Sequence, residues 1–252
     1  MNLQLKNVEK SINKKPILKN ISFELNEGEI IGFIGDNGAG KTTTIKSIFQ
    51  EYQIQHGEIL INDQKIDNNI LKKIEFFPDQ NNFPKNYKVR DYCYYNYKLS
   101  KEVVNKDEFN KLFEKTMTAL NLQEQLNAKF SQLSSGMQKK ALMVMVLLTK
   151  PEILILDEPT ANLDVESRLE FNEILKMLSK DLKINILITS HNIEELETLI
   201  TKIVLIKDGE IILSKKFDKT KEKLADIYAK HYNRPSRSLV SGKLEEILKN
   251  EK

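Results

Sequence analysis

The chain has 252 residues, 40% hydrophobic and 30% charged, with 39 basic against 36 acidic side chains and a net charge of +3. That profile suits one large folded domain with a subdomain, and the even charge balance with few arginines argues against a nucleic-acid partner. The single cysteine, Cys93, excludes an intrachain disulfide, and the longest apolar run, Ala141 to Leu148, is too short to cross a bilayer.

The first residues, Met1 to Lys6, lack the basic-then-apolar pattern of a signal peptide, so a cytoplasmic location is expected. Leu3 to Leu5 and Ile21 to Leu25 alternate apolar and polar residues, which predicts half-exposed antiparallel strands. Glu29 to Ile34 is an apolar run that suits a buried parallel strand. It ends in a dense glycine cluster: Gly28, Gly32, Gly35, Gly38 and Gly40 are five of only nine glycines in the chain. Thr42 to Phe49 reads as the helix that follows.

From about residue 90 to 150 the apolar spacing becomes helical, with Phe109, Leu112, Phe113 and Leu120 on one face. Ile153 to Leu156 and Ile186 to Thr189 return to buried-strand character. Ile203 to Ile206 and Ile211 to Leu213 flank Asp208-Gly209, a hairpin signal. Beyond Lys215 come two short amphipathic stretches, around Leu224, Ile227 and Tyr228 and around Leu244, Ile247 and Leu248, separated by Arg234-Pro235-Ser236. The pattern predicts an α/β core with an inserted helical block.

Gly35-Asp36-Asn37-Gly38-Ala39-Gly40-Lys41-Thr42 fits the P-loop pattern G-x-x-x-x-G-K-S/T at every fixed position, between a strand and a helix. Glycines let successive N–H groups turn inward around phosphate, and the helix aims its positive end at the same anion. The nucleotide-binding set is Gly35, Asp36, Asn37, Gly38, Ala39, Gly40, Lys41, Thr42 and Thr43, with Lys41 reaching the β- and γ-phosphates and Thr42 ligating Mg²⁺. A GTPase base-reading motif is missing, since Asn13-Lys14-Lys15-Pro16 lacks its aspartate and precedes the P-loop.

The strand Ile153 to Leu156 ends in Asp157-Glu158, at the end of a parallel strand where such sheets bind ligands. Asp157 is placed to hold Mg²⁺. Glu158, expected on the opposite face by strand alternation, is placed to polarise the attacking water. Leu133-Ser134-Ser135-Gly136-Met137-Gln138 precedes the apolar run 141–148. Its serine hydroxyl and glycine N–H at a helix start can bind a γ-phosphate through Ser134 and Gly136.

In this order the motifs resemble the ATP-binding cassette (ABC) ATPases, over roughly residues 1 to 215. Leu133, Ser134 and Gly136 match the family signature L-S-G-G-Q, while Ser135 and Met137 depart from it. Ala161-Asn162-Leu163-Asp164 resembles the D-loop, and His191 resembles the switch histidine, a second catalytic residue beside Glu158. At the Q-loop position stand Asp79 and Gln80. Gln80 is preferred, as a contact to nucleotide and Mg²⁺. Ile12 stands where the family often places an adenine-stacking aromatic.

The resemblance implies a P-loop NTPase core, a mostly parallel sheet flanked by helices, with an antiparallel β subdomain and an inserted α-helical subdomain at about 86–150. It divides the chain into a cassette at 1–217 and a short helical extension at 218–252. It implies ATP and Mg²⁺ as ligands, a second cassette as homodimer or heterodimer partner, and permease subunits on separate chains that hold the protein at the inner face of the membrane. Each signature would then face the other chain's P-loop. The cluster Asp91 to Tyr97 suits either a permease contact or packing inside the helical subdomain. The signature form Ser-x-Gly-Met-x-x-Lys resembles bacterial exporter cassettes. The alternative is a non-transport cassette acting on nucleic acid or the ribosome.

Overall fold

The computed structural model describes residues 1–77, 85–101, 103–190 and 192–232. Two sheets meet at the glycine cluster. The first is antiparallel, built from β1 (Leu3–Ile12), β2 (Lys15–Leu25) and two later strands, β4 (His56–Ile61) and β5 (Gln64–Lys65), in the order β2-β1-β4-β5. The second holds β3 (Ile30–Ile34), β6 (Ile74–Phe77), β7 (Ile153–Asp157), β8 (Asn185–Thr189), β9 (Lys202–Lys207) and β10 (Glu210–Lys216), in the order β10-β9-β3-β8-β7-β6. All its pairings are parallel except β9 with β10.

Tight turns close three hairpins. Asn13-Lys14, Asn62-Asp63 and Asp208-Gly209 each place two residues at positive φ between directly paired strand ends. Two left-handed residues give the twist that two-residue hairpins require. Only the third carries the glycine that made it readable in advance. Strands β4, β5 and β6 have no counterpart among the predicted elements, because few of their residues are fully buried and the alternation is weak.

The central sheet separates two cores, and strand alternation decides which residue joins which. Ile30, Ile34, Leu154, Leu156, Ile186, Ile188, Ile203 and Leu205 face the helical side. Ile31, Phe33, Ile153, Ile155, Leu187, Val204 and Ile206 face the antiparallel sheet, together with Ile45 and Ile48 of α1 (Lys41–Ile48). Both faces of these strands are covered, so they are apolar throughout.

After the one-turn helix α2 (Asn68–Leu71) and β6, the inserted helical block comprises α3 (Val89–Ser100), α4 (Lys106–Ala119) and α5 (Ser135–Thr149). In α4, Phe109, Phe113 and Met117 form the buried stripe. The apolar run 141–148 lies within α5, whose residues are buried on nearly every side between α3, α4 and the sheet edge. Helices α6 (Val165–Lys180), α7 (Ile193–Leu199) and α8 (Leu224–Tyr232) cover the same face. Helix α8 is the first of the two predicted C-terminal stretches; the second lies outside the described residues. Among the described residues no helix is long and apolar enough to cross a membrane.

Candidate nucleotide site

The P-loop runs from the end of β3 to the start of α1. A Cβ on Gly35 would lie 2.4 Å from the carbonyl oxygen of Ile206, so only glycine lets the chain leave the sheet at that point. Gly40 caps α1 at φ 116, in backbone space that L side chains avoid. The hairpin turn of β9 and β10 braces the loop, since the Gly209 N–H donates to the Ala39 carbonyl at 3.0 Å. Lys41 Nζ donates to the carbonyls of Gly35 at 2.7 Å and Asp36 at 3.2 Å. Burial lowers the Lys41 pKa, while the negative charges of Glu158, Asp157 and Asp36 act against that shift.

Asp157 is the last residue of β7, and its Oδ1 accepts a hydrogen bond from the Thr189 hydroxyl of β8. Glu158 follows the strand at φ 49, and its N–H donates to the Thr189 carbonyl at 3.2 Å. Strand alternation therefore does not separate the two acids as expected. The chain turns left-handed after Asp157, and both carboxylates border one cavity. That cavity, about 400 Å³, is lined by Ile12, Ile17, Asn37, Gly38, Gly40, Lys41, Thr42, Thr43, Asp157 and Glu158. Ile12 thus sits beside the phosphate loop, where the adenine-stacking position was expected.

Not every predicted residue borders the cavity. Gly35 and Ala39 are buried beneath it, and the Asp36 side chain turns away to the hydroxyl of Tyr228 at 2.9 Å. Thr42 and Asp157 offer hard oxygen donors in one place, which suits Mg²⁺ completed by nucleotide phosphates and water. Gln80, Asp79 and His191 lie outside the described residues.

The signature stands apart from this cavity. Ser134 caps α5, accepting from the Met137 N–H at 3.3 Å, and Gly136 is buried against α6. Asp164 of the D-loop caps α6, accepting from the Ser167 N–H at 2.8 Å and the Ser167 hydroxyl at 2.9 Å. These bonds hold its pKa below the usual carboxylate range.

Glu195 of α7 was not anticipated. It is nearly buried, accepts from the Thr160 hydroxyl at 3.0 Å and from Asn172 at 3.1 Å, and lies 3.8 Å from Arg168. It ties the segment after Glu158 to the helix after position 191. No spacing in the sequence announces that contact, because its partners come from the loop after β7 and from α6, both distant in the chain. The tyrosine cluster of α3 divides by face. Cys93 and Tyr97 are buried in the core, while Tyr87, just before the helix, and Tyr95 are largely exposed beside a cavity of about 620 Å³ also lined by Asp91, Tyr92, Tyr94 and Lys98.

A family model described as ABC transporter matches residues 18–161. The chain belongs to the ABC transporter ATP-binding family. It is 34% identical over 219 residues to an ABC transporter ATP-binding protein of Mycoplasma pneumoniae, covering 85% of this chain and 66% of that one. It is 33% identical to the spermidine/putrescine import ATP-binding protein PotA of Mycoplasma capricolum, covering 83% of this chain and 60% of the relative. The chain therefore spans about two thirds or less of the length of these two relatives.

The fold matches a structure of the ATP-binding subunit of an ABC transporter with a TM-score of 0.81 at 21% identity, covering 92% of this chain and all of that one. It also matches the dimeric post-hydrolysis structure of the cassette MJ0796, bound to ADP and Pi, with a TM-score of 0.75 at 25% identity, covering 86% of this chain and 99% of that one. Membership in the family brings ATP as nucleotide, Mg²⁺ as its ion and hydrolysis as its reaction.

Proposed function

We propose that this chain is the ATP-hydrolysing subunit of a membrane transporter, working as one of a pair of cassettes on a permease made of separate chains. One observation carries the reading: Lys41, Thr42, Asp157 and Glu158, brought from two strand ends far apart in sequence, border the same cavity. Loop residues 35–43 wrap the phosphates with backbone N–H groups, and Lys41 meets the β- and γ-phosphates. Thr42 and Asp157 hold Mg²⁺, which supplies charge neutralisation to the phosphates when bound. Glu158 accepts the proton of the attacking water, and the family resemblance assigns His191 and Gln80 to the same reaction.

Ser134 and Gly136 serve the γ-phosphate of the opposing cassette. Neither lines this chain's own cavity, which supports that reading, and so does the dimeric form of the MJ0796 cassette. The exposed Tyr87, just before α3, and Tyr95, within it, offer the permease an amphipathic contact surface. Through that contact the protein sits at the cytoplasmic face of the membrane.

The signature form Ser-x-Gly-Met-x-x-Lys favours export. A second reading, import, is favoured by the spermidine/putrescine import relative. Purification from native membranes tests the assignment. A polytopic membrane protein should co-purify, with ATPase activity that Lys41→Ala removes. Co-purifying rRNA or DNA in its place would favour the non-transport alternative. Reconstitution of the complex in sealed vesicles then separates export from import by the side on which cargo accumulates.

A further inference from the structure

Helix α8 reaches the phosphate loop from outside the sequence motifs. Leu224, Ile227 and Tyr232 anchor it in the helical-side core, and the Leu224 N–H donates to Glu197 of α7 at 2.7 Å. Tyr228 and Tyr232 stack with ring centroids 4.3 Å apart. The buried Tyr232 hydroxyl donates to the Ile206 carbonyl, the same oxygen against which Gly35 packs. One turn earlier, the Tyr228 hydroxyl donates to Asp36 Oδ1 at 2.9 Å. The two tyrosines thus grip the strand beneath the loop and the first variable residue of the loop itself.

Asp36 poses an electrostatic problem. It puts a carboxylate into a loop that must receive a polyphosphate, five residues before the lysine that must meet that anion. Lys41 already touches the Asp36 carbonyl at 3.2 Å, so the carboxylate needs only side-chain rotation to approach the ammonium. An ion pair there would compete with phosphate for Lys41, and the bare carboxylate would repel the incoming anion.

We propose that Tyr228 is a positioning residue for the nucleotide site: its hydroxyl holds the Asp36 carboxylate on the α8 side, leaving Lys41 to the phosphates. The inference rests on residues 35–43 being the phosphate cradle. It assigns to the C-terminal helix a part in ATP affinity, although α8 does not border the cavity. The carboxylate–hydroxyl bond is charge-assisted, which sets its strength above that of a neutral pair.

The test is ATP binding and steady-state hydrolysis by the full chain. Tyr228→Phe keeps the ring stack and removes only the hydroxyl. It should weaken ATP binding by at least roughly fivefold to tenfold, within the roughly 100-fold that a lost charge-assisted bond could cost at most, and raise KM while leaving kcat in place. In an Asp36→Asn background, where no charge competes for Lys41, the same change should shift ATP affinity less than about twofold. Unchanged affinity in Tyr228→Phe overturns the proposal, as does an equal loss in both backgrounds, which would mark Tyr228 as merely structural. Lys41→Ala separates the two levels. If it leaves ATP affinity intact, the cradle assignment itself fails; if it weakens binding while Tyr228→Phe does not, only the role of Tyr228 fails.

Discussion

A Cβ added to Gly136 would lie 2.4 Å from Oγ of Ser167 and 3.1 Å from its Cβ. The signature helix α5 and the D-loop helix α6 therefore touch at their N-termini, and the hydroxyl involved is held by Asp164 at 2.9 Å. Rotating the Ser167 side chain away would break that hydroxyl bond, although the backbone cap from Asp164 would remain. The glycine is required by packing within one chain, in addition to any contact with phosphate from another.

Gly136→Ala should accordingly destabilise the protein by about 1–3 kcal/mol, the usual range for overpacking. Combining it with Ser167→Ala removes the nearer atom and should recover part of the loss. Thermal unfolding of the two variants is the check. A double variant no more stable than Gly136→Ala alone would place the strain elsewhere.

Glu158→Gln should lower kcat by at least about 100-fold while ATP still binds, because the amide keeps the shape and loses the base. Glutamine also tolerates the left-handed backbone at this position as glutamate does. Single-turnover hydrolysis with the purified variant decides the matter, and wild-type turnover would remove Glu158 from the role of base. The ATP-bound variant should also favour the paired form, readable by size-exclusion chromatography.

Glu75, in the edge strand β6, carries a pH prediction. Burial pushes its pKa up to about 7 from 4.5, with the Thr149 hydroxyl pulling the other way. A carboxyl raised in the folded state binds its proton more tightly there than in the unfolded chain. Its stabilising effect is complete below about pH 4.5 and is lost as pH rises to about 7. Glu75→Gln should flatten that part of the stability profile and make the protein more stable at pH 8, by up to about 3 kcal/mol. Parallel denaturant titrations at pH 5 and pH 8 would show it; an identical pH dependence in both proteins would exclude the effect.

The sequence by itself determined the chemistry and most of the central sheet. Gly35 to Thr42 are contiguous, their spacing is dictated by one loop around one phosphate, and the apolar strand before them announces its own burial. Asp157-Glu158 and Asp208-Gly209 are legible for the same reason, since each is a local pattern with a local physical cause. Strands β4 to β6 were hidden because edge and half-buried strands carry weak alternation. Only the tertiary structure decided which distant residues meet. It put both acids on one cavity through a left-handed residue, set Gly136 against Ser167, drew Glu195 to Thr160, and brought Tyr228 to Asp36. Contacts between residues far apart in the chain follow from how helices and sheets pack, and no pattern along the chain records them.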